Sequence, residues 1–484
     1  MLRARTAATT PHRRQSGHVS ASPTPPMRPA AVAGLAAAIS GDVLAPDHPA
    51  FYGTSAVTQL ARPARPALIV RPACAADVAR AIAFAREEGL VIAVRGGGHS
   101  SAGHGTGDGV MVIDTRDLRH LSVDPTARRL RAGAGLLARE VVAAAHEHGL
   151  TVPLGDSGSV GVAGITLGGG FGYLSRQHGL TVDRLVSADL VTADGRLVTA
   201  SADSEPDLFW AIRGGGGNFG VVTSLDFDMV EAGTVHGGAL VLPASRDVLR
   251  GVAPLAGAAP RELGVIASLM PAPRAPFMPP DAVGRPVVLV VGVYNGDRAA
   301  GEAAWAPFRA LARPIADTVG PMPYHDVYRL APGGPPAASV SRSAFVEVVD
   351  DVVVDALREA YASAPGTRAM VQLRVLGGAI GDRPGEATAY AHRAAPAHVL
   401  ATATAPSPES LGPCEAWADD LLGALRSRSI GAYVNFLEDE GEARVREAYP
   451  ARTYRRLAAA KAAWDPDNVF RRNHNIRPVV ARAD

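Results

Sequence analysis

The chain has 484 residues, 47% hydrophobic and 20% charged, with Lys+Arg 48 against Asp+Glu 47 for a formal net charge of +1. At roughly 100–200 residues per domain this is core for two to four domains, and with no basic cluster the even balance excludes a nucleic-acid binder. Apolar runs are broken by Gly, Pro or charge short of the roughly 20 residues a membrane-spanning helix needs. Cys74 and Cys414 are the only cysteines, which excludes a disulfide framework and a thiolate-rich metal or iron–sulfur centre. Every basic residue except Lys461 is arginine, which reads as genome composition rather than as a binding surface.

Residues 1–28 combine Arg, Ser, Thr and Pro with few bulky apolar side chains and are expected to be a disordered tail. Ala30–Ile39 imitates a signal-peptide core but is weakly hydrophobic and lacks a cleavage site, so a soluble, cytoplasmic protein is expected, with secretion left open. Pro29–Ser40 reads instead as a short helix. Ala67–Val70, Val91–Val94, Val110–Asp114 and Leu130–Ala132 read as strands, and Ala75–Glu88 and Ala138–His148 as amphipathic helices. Leu185–Thr192 and Leu197–Ala200 flank Asp194-Gly195, a hairpin signal. Beyond about residue 235 come longer runs, Pro286–Val293 and Met370–Leu376, with helices such as Val352–Ser363; one antiparallel sheet with a polar face and a helix-covered face suits them. Arg444–Tyr449 and Thr453–Trp464 return to helix before Asp465-Pro466-Asp467-Asn468.

Arg95-Gly96-Gly97-Gly98-His99-Ser100 follows a strand, and successive glycines let backbone N–H groups converge on an anion such as a pyrophosphate. Gly161–Gly172 and Gly214–Gly220 repeat the pattern. Any one loop is explained as well by a tight turn; three in one region point to a large bound cofactor. A Rossmann site is excluded, because Gly164–Gly170 follows no clear strand of a βαβ unit and no acidic residue is placed for a ribose. His99, at the lip of such a loop, is poorly explained by packing. His146, His148 and His104 read as surface or structural residues, His392-Arg393 as a substrate contact or a strand end, and Asp203, Glu205 and Asp207 as a helix-start cluster. No G-x-S-x-G or H-E-x-x-H motif occurs.

Arg95–Ser100, Val160-Gly161 with Gly168–Gly172, Asp207-Leu208-Phe209-Trp210 with Arg213–Gly220, and Tyr433-Val434-Asn435 with Asp465–Asn468 and Asn473–Asn475 together resemble the berberine bridge enzyme-like FAD-linked oxidases of the vanillyl-alcohol oxidase superfamily. The resemblance spans Pro29–Pro478. It implies an α+β, two-domain PCMH-type FAD-binding fold: an FAD domain over 29–235, an inserted antiparallel-sheet substrate domain over 236–435, and a C-terminal segment over 436–484 that returns to the FAD domain. It places FAD on Arg95, Gly96, Gly97, Gly98, Ser100, Ser157, Val160, Gly161, Gly164, Gly168, Gly169, Gly170, Gly172, Gly220, Val222, Asn435, Asn473 and Asn475, with a covalent bond to the isoalloxazine from His99. Many members add a second bond from a cysteine where this chain has Ser157, so a single linkage is implied. Ile165 stands where some members carry a histidine near the flavin, and both departures imply a weaker oxidant.

The resemblance implies oxidation of an alcohol, amine or related C–H bond of a small molecule, with hydride transfer to flavin N5 and a base on the substrate side. It offers Tyr433 as that base, with Asn435 on the same face if the segment is a strand. A phenol near pKa 10 needs a positive charge or donors to serve near neutrality. Alternation puts Gln372 and Arg374 on one face, and Arg374 either tunes Tyr433 or anchors an anionic substrate. Val160, small for its position, leans toward O2 as acceptor with release of H2O2. A dehydrogenase using another acceptor, a flavin-binding protein without turnover and a histidine-rich metal binder are the alternatives; no metal site is expected.

Overall fold

The computed structural model describes residues 27–51, 64–330, 337–365 and 368–479; residues 1–26 of the expected tail lie outside the described residues. The first helix is Pro29–Ala38, opened by proline at its first turn. Asp77, in the first turn of the helix Ala75–Glu87, accepts from the Ser40, Gly41 and Ala73 amides at 3.0 Å each, which fastens the end of the first helix to the start of the second. These helices cover a four-stranded sheet, ordered Asp42–Leu44, Leu68–Arg71, Met111–Asp114, Ile92–Arg95, whose last three strands are parallel. Val78, Ile82 and Ala85 meet Leu68, Val70 and Ile113 in its core.

A second, antiparallel sheet runs Leu121–Asp124, Arg129–Gly133, Val221–Asp228, Leu185–Val191, Leu197–Ser201. Its expected hairpin turns at Asp194-Gly195, where Gly195 takes φ +83°. The third sheet has nine strands in antiparallel pairing. Its central members are Thr234–Pro243, Pro286–Tyr294, Leu263–Pro271, Ala369–Val375, Ala397–Ala405 and Ala338–Val346. The helices Arg246–Ala258, Arg298–Arg309, Asp351–Ala362 and Gly412–Leu425 cover one face, contributing Val248, Trp305, Leu357 and Leu421 to that core.

The opposite face is polar, as expected, at Ser268, Gln372, Arg374 and His398, but apolar along Pro286–Tyr294. Val287, Leu289, Val291 and Val293 join a core shared with Leu130, Leu154 and Leu190 of the preceding region. Burial on both sides explains the unbroken Val-Val-Leu-Val-Val run, since each such side chain is worth roughly 1.5–3 kcal/mol when fully buried. The chain ends by returning to the glycine-rich region. Lys461, fully buried on the helix Ala451–Trp464, donates to the Asn218 carbonyl at 2.7 Å, Asp465 at 2.6 Å and the Phe470 carbonyl at 2.8 Å. All three ammonium protons are thereby used.

Candidate active site

The strand Ile92–Arg95 delivers the first glycine loop. The Arg95 side chain turns inward, its Nε 3.1 Å from Asp114 Oδ2 with both groups buried, so it fastens the root of the loop. Beyond it, Gly98 takes φ +71°. A β-carbon on Gly97 would overlap the Gly161 amide, and one on Gly161 would overlap the Gly97 amide. The first two loops thus touch main chain to main chain, and no side chain stands between their N–H groups. Gly164, exposed in the short helix Val162–Leu167, borders open space, for a β-carbon there would meet nothing within 4 Å.

His99 is half-buried, and that burial pushes its imidazole pKa down, with the Ser159 main chain pulling the other way. It is therefore neutral near pH 7, the form in which a ring nitrogen keeps its lone pair. Close by, Ser157 Oγ lies 3.1 Å from Ser159 Oγ, and the Val160 carbonyl accepts from the Ala138 amide at 2.9 Å. Ser100 Oγ accepts from the His104 amide at 3.4 Å.

The C-terminal tail lies against this region. Arg472 Nε donates to the Thr106 carbonyl at 2.6 Å, Asn473 Nδ2 to the Gly217 carbonyl at 3.0 Å, and the His474 ring meets His104 edge-on at 4.7 Å. Thr106 Oγ1 and the side-chain oxygens of Asn473 and Asn475 are buried without a partner among the described residues. A side-chain-free amide nest, open space beside Gly164 and three orphaned polar atoms fit a large polar guest with a diphosphate.

The glycines of Gly168–Gly172 have protein neighbours. β-Carbons there would strike the Asn435 side chain at Gly168, the Tyr390 ring at Gly169, Thr181 at Gly170 and the Leu154 carbonyl at Gly172; Gly169 and Gly170 also have φ +129° and +77°. Gly220 is pressed against the Val191 carbonyl, and Val222 is a buried strand residue paired with Leu190.

Tyr433 stands at this packed junction. Its hydroxyl accepts from the Gly170 amide at 2.8 Å and from Asn435 Nδ2 at 3.0 Å, and Asn435 Nδ2 also lies 3.1 Å from the Ile165 carbonyl. The expected strand is absent here. Pairing ends at Gly431, and Val434–Phe436 form a 3-10 turn, which brings Asn435 back onto Tyr433 by curvature rather than by strand alternation. Burial pushes the phenol pKa up to about 12. The hydrogen bonds from Gly170 and Asn435, and then Arg374, pull it down, and Asp156 pushes it up.

Gln372 and Arg374 share one buried face of Ala369–Val375, as alternation predicts. Gln372 Nε2 donates to Ser268 Oγ at 3.0 Å. Arg374 pairs with Asp156 at 2.8 Å, so its charge is already balanced by a residue of the loop that carries Ser157. Two participants escaped the sequence reading. Asp156 lies in an irregular loop with no periodic signal, whereas His398 carried one, being the odd residue in the alternation of Ala397, Val399 and Ala401 toward the helices.

The weaker candidates are structural. His146 packs on His325 with ring centroids 4.3 Å apart, His392 Nε2 lies 2.8 Å from the Glu447 carbonyl, and Arg393 grips Asp183 at 2.8 and 3.0 Å. Glu205 and Asp207 flank the start of the helix Pro206–Ile212. Among the described residues no group of three His, Cys, Asp or Glu side chains could hold a metal ion, and both cysteines are free.

Residues 66–201 match the FAD binding domain family and residues 432–477 the berberine and berberine-like family. The chain is 31% identical over 469 residues to (R)-6-hydroxynicotine oxidase of Paenarthrobacter nicotinovorans, covering 91% of this chain and 97% of that one. The chain belongs to the berberine bridge enzyme-like family of FAD-linked oxidases. It also matches xylooligosaccharide oxidase of Thermothelomyces thermophilus, 39% identical over 173 residues, 35% of each protein. Among solved structures, 6-hydroxy-D-nicotine oxidase of Arthrobacter nicotinovorans superimposes with TM-score 0.82 at 26% identity, covering 91% of this chain and 98% of that one. Xylooligosaccharide oxidase of Myceliophthora thermophila C1, in complex with xylobiose, gives TM-score 0.81 at 25% identity, covering 93% and 100%.

This berberine bridge enzyme-like protein is an FAD-dependent oxidoreductase of the PCMH-type α+β fold that oxidises small molecules. No helix among its described residues is long and apolar enough to cross a membrane.

Proposed function

We propose that the chain is an oxidase that carries FAD covalently through His99 alone and returns electrons to O2 as H2O2. The observation that carries the reading is the main-chain contact of Gly97 with Gly161 beside the half-buried His99. Gly96–Ser100 and Gly161 hold the diphosphate, and the orphaned side-chain oxygens of Thr106, Asn473 and Asn475 accept from N–H and O–H groups elsewhere in FAD. Ser157 offers no second attachment. We divide the chain accordingly into an FAD domain over 29–235 completed by 436–484, and a substrate domain over 236–435.

FAD, when bound, supplies the two-electron acceptor. The protein's share is to orient the substrate and move its proton. Once ionised to the phenolate, which the two donors on its oxygen favour and burial opposes, Tyr433 takes the proton of a substrate O–H or N–H and becomes the neutral phenol, while Gln372 and Arg374 face the substrate. Val160, half-buried beside Gly161, is the short side chain on which the choice of O2 as acceptor rests. The relatives' names give 6-hydroxynicotine and xylooligosaccharides as the first compounds to try.

Acid-precipitated holoprotein should stay yellow, lose its colour in His99→Ala and keep it in Ser157→Ala. A colourless native precipitate, or colour retained in His99→Ala, would refute the linkage. Peroxide formation under air with no added dye separates the oxidase from a dehydrogenase.

A further inference from the structure

Strands Ala369–Val375 and Ala397–Ala405 pair antiparallel, and their residues Val371, Leu373, Val399 and Ala401 pack under the helices. Gln372, Arg374 and His398 therefore share the opposite face. Arg374 lies directly across from His398, and Gln372 is the next residue along on that side. All three are at least nine-tenths buried, with exposures of 8%, 5% and 0% for Gln372, Arg374 and His398. Each nevertheless carries polar atoms with no hydrogen-bond partner: Oε1 of Gln372, Nε and Nη1 of Arg374, and both ring nitrogens of His398. A buried polar atom left unpaired is unfavourable, so three adjacent side chains with open valences mark a place where something else makes the bonds.

The surroundings restrict what that is. The Arg374 guanidinium carbon lies 5.0 Å from the Phe436 ring centre and 5.7 Å from that of Phe171. His398 stacks on Phe436 at 5.3 Å and meets Tyr433 edge-on at 6.0 Å. Asp156, 2.8 Å from Arg374 Nη2, already balances the cation and would repel a second anion.

We infer that Gln372, Arg374 and His398 form the strip that recognises the substrate, and that they select an uncharged planar ring bearing an oxygen acceptor beside an N–H or O–H donor. Arg374 supplies donors, Gln372 Oε1 accepts, and a neutral His398 does one of each. The aromatic side chains favour a flat ring. The inference rests on the flavin-oxidase reading and deepens it by naming a substrate class.

The test titrates holoprotein with benzamide, its anionic isostere benzoate and its non-planar analogue cyclohexanecarboxamide, following the flavin absorbance. Benzamide should bind at least tenfold more tightly than either analogue. His398→Phe, which keeps a ring beside Phe436 and beside Phe345, whose ring His398 meets edge-on at 5.1 Å, should weaken benzamide about tenfold, and His398→Gln should restore part of the loss. Asp156→Asn should improve benzoate binding at least tenfold. Undetectable benzamide binding, benzoate ahead of benzamide in the native protein, or unchanged benzamide affinity in both His398 variants would overturn the inference. Flavin content keeps the two failures apart: a native protein without flavin sinks the oxidase reading, while equal flavin with unmoved titrations sinks only the recognition strip. A melting curve for each variant excludes misfolding, and if His398→Phe does not fold, His398→Gln and Asp156→Asn decide.

Discussion

Two places in the glycine-rich region rely on the same residue for opposite ends. At Gly97 and Gly161 the missing side chains let two loops meet through their amides and leave a clear wall. At Gly168–Gly172 they let Asn435, Tyr390, Thr181 and Leu154 press onto the backbone, and one of the amides there, Gly170, is spent on Tyr433. The first arrangement is the one we propose as the receptor for an anion. The second makes a joint between this glycine-rich stretch and Tyr390, Tyr433 and Asn435. A run of glycines therefore reports close approach without saying whether a ligand or the protein itself approaches.

The sharpest way to break this distinction is Tyr433→Phe, which should lower turnover about 100-fold or more while flavin content stays level. Loss of flavin in that variant would mean the joint also serves the cofactor. Gly97→Ala should come next, because the new methyl meets main chain that has no other course; destabilisation of about 3 kcal/mol in denaturant melts, with reduced flavin, is expected. Gly168→Ala collides with a side chain that can turn aside, and about 2 kcal/mol is expected.

Gly168→Ala should also move a pH profile. Hydrogen bonds to the Tyr433 oxygen favour the phenolate, so displacing Asn435 raises a pKa that already stands at about 12. The rate with a hydroxyl substrate, which climbs as the phenol ionises, should then begin its rise at higher pH. A limb shifted downward would show that Asn435 is not a net donor. The smallest effect belongs to Gly164→Ala. With open space at that position, alanine should raise stability by up to about 1 kcal/mol through helix propensity, yet flavin incorporation should fall because the methyl enters the cofactor's side. Unchanged incorporation would move the cofactor away from that helix.

Much of the backbone was legible because it rests on local rules. The Asp194-Gly195 hairpin, the proline-opened first helix and the alternation that pairs Gln372 with Arg374 each follow from one stretch of chain. The expected polar sheet face is found at the strands of Gln372, Arg374 and His398 but not along Pro286–Tyr294, for the complementary reason. Val287, Leu289, Val291 and Val293 are apolar because a distant part of the chain covers them, and periodicity within a strand cannot name its cover. Tyr433 and Asn435 would share a face were the segment a strand; a 3-10 turn brings them together instead.

The sequence by itself determined the family motifs, the strand and helix periods and the presence of amide-rich loops, all of which are encoded by neighbours along the chain. Only the tertiary structure decided which glycines face space and which face protein. It alone joined Asp156 to Arg374, set His398 across from Arg374, and closed the buried Lys461 onto the Asn218 carbonyl. Such contacts form when remote segments are desolvated together, and the resulting charges and open valences belong to the assembled site rather than to any one segment.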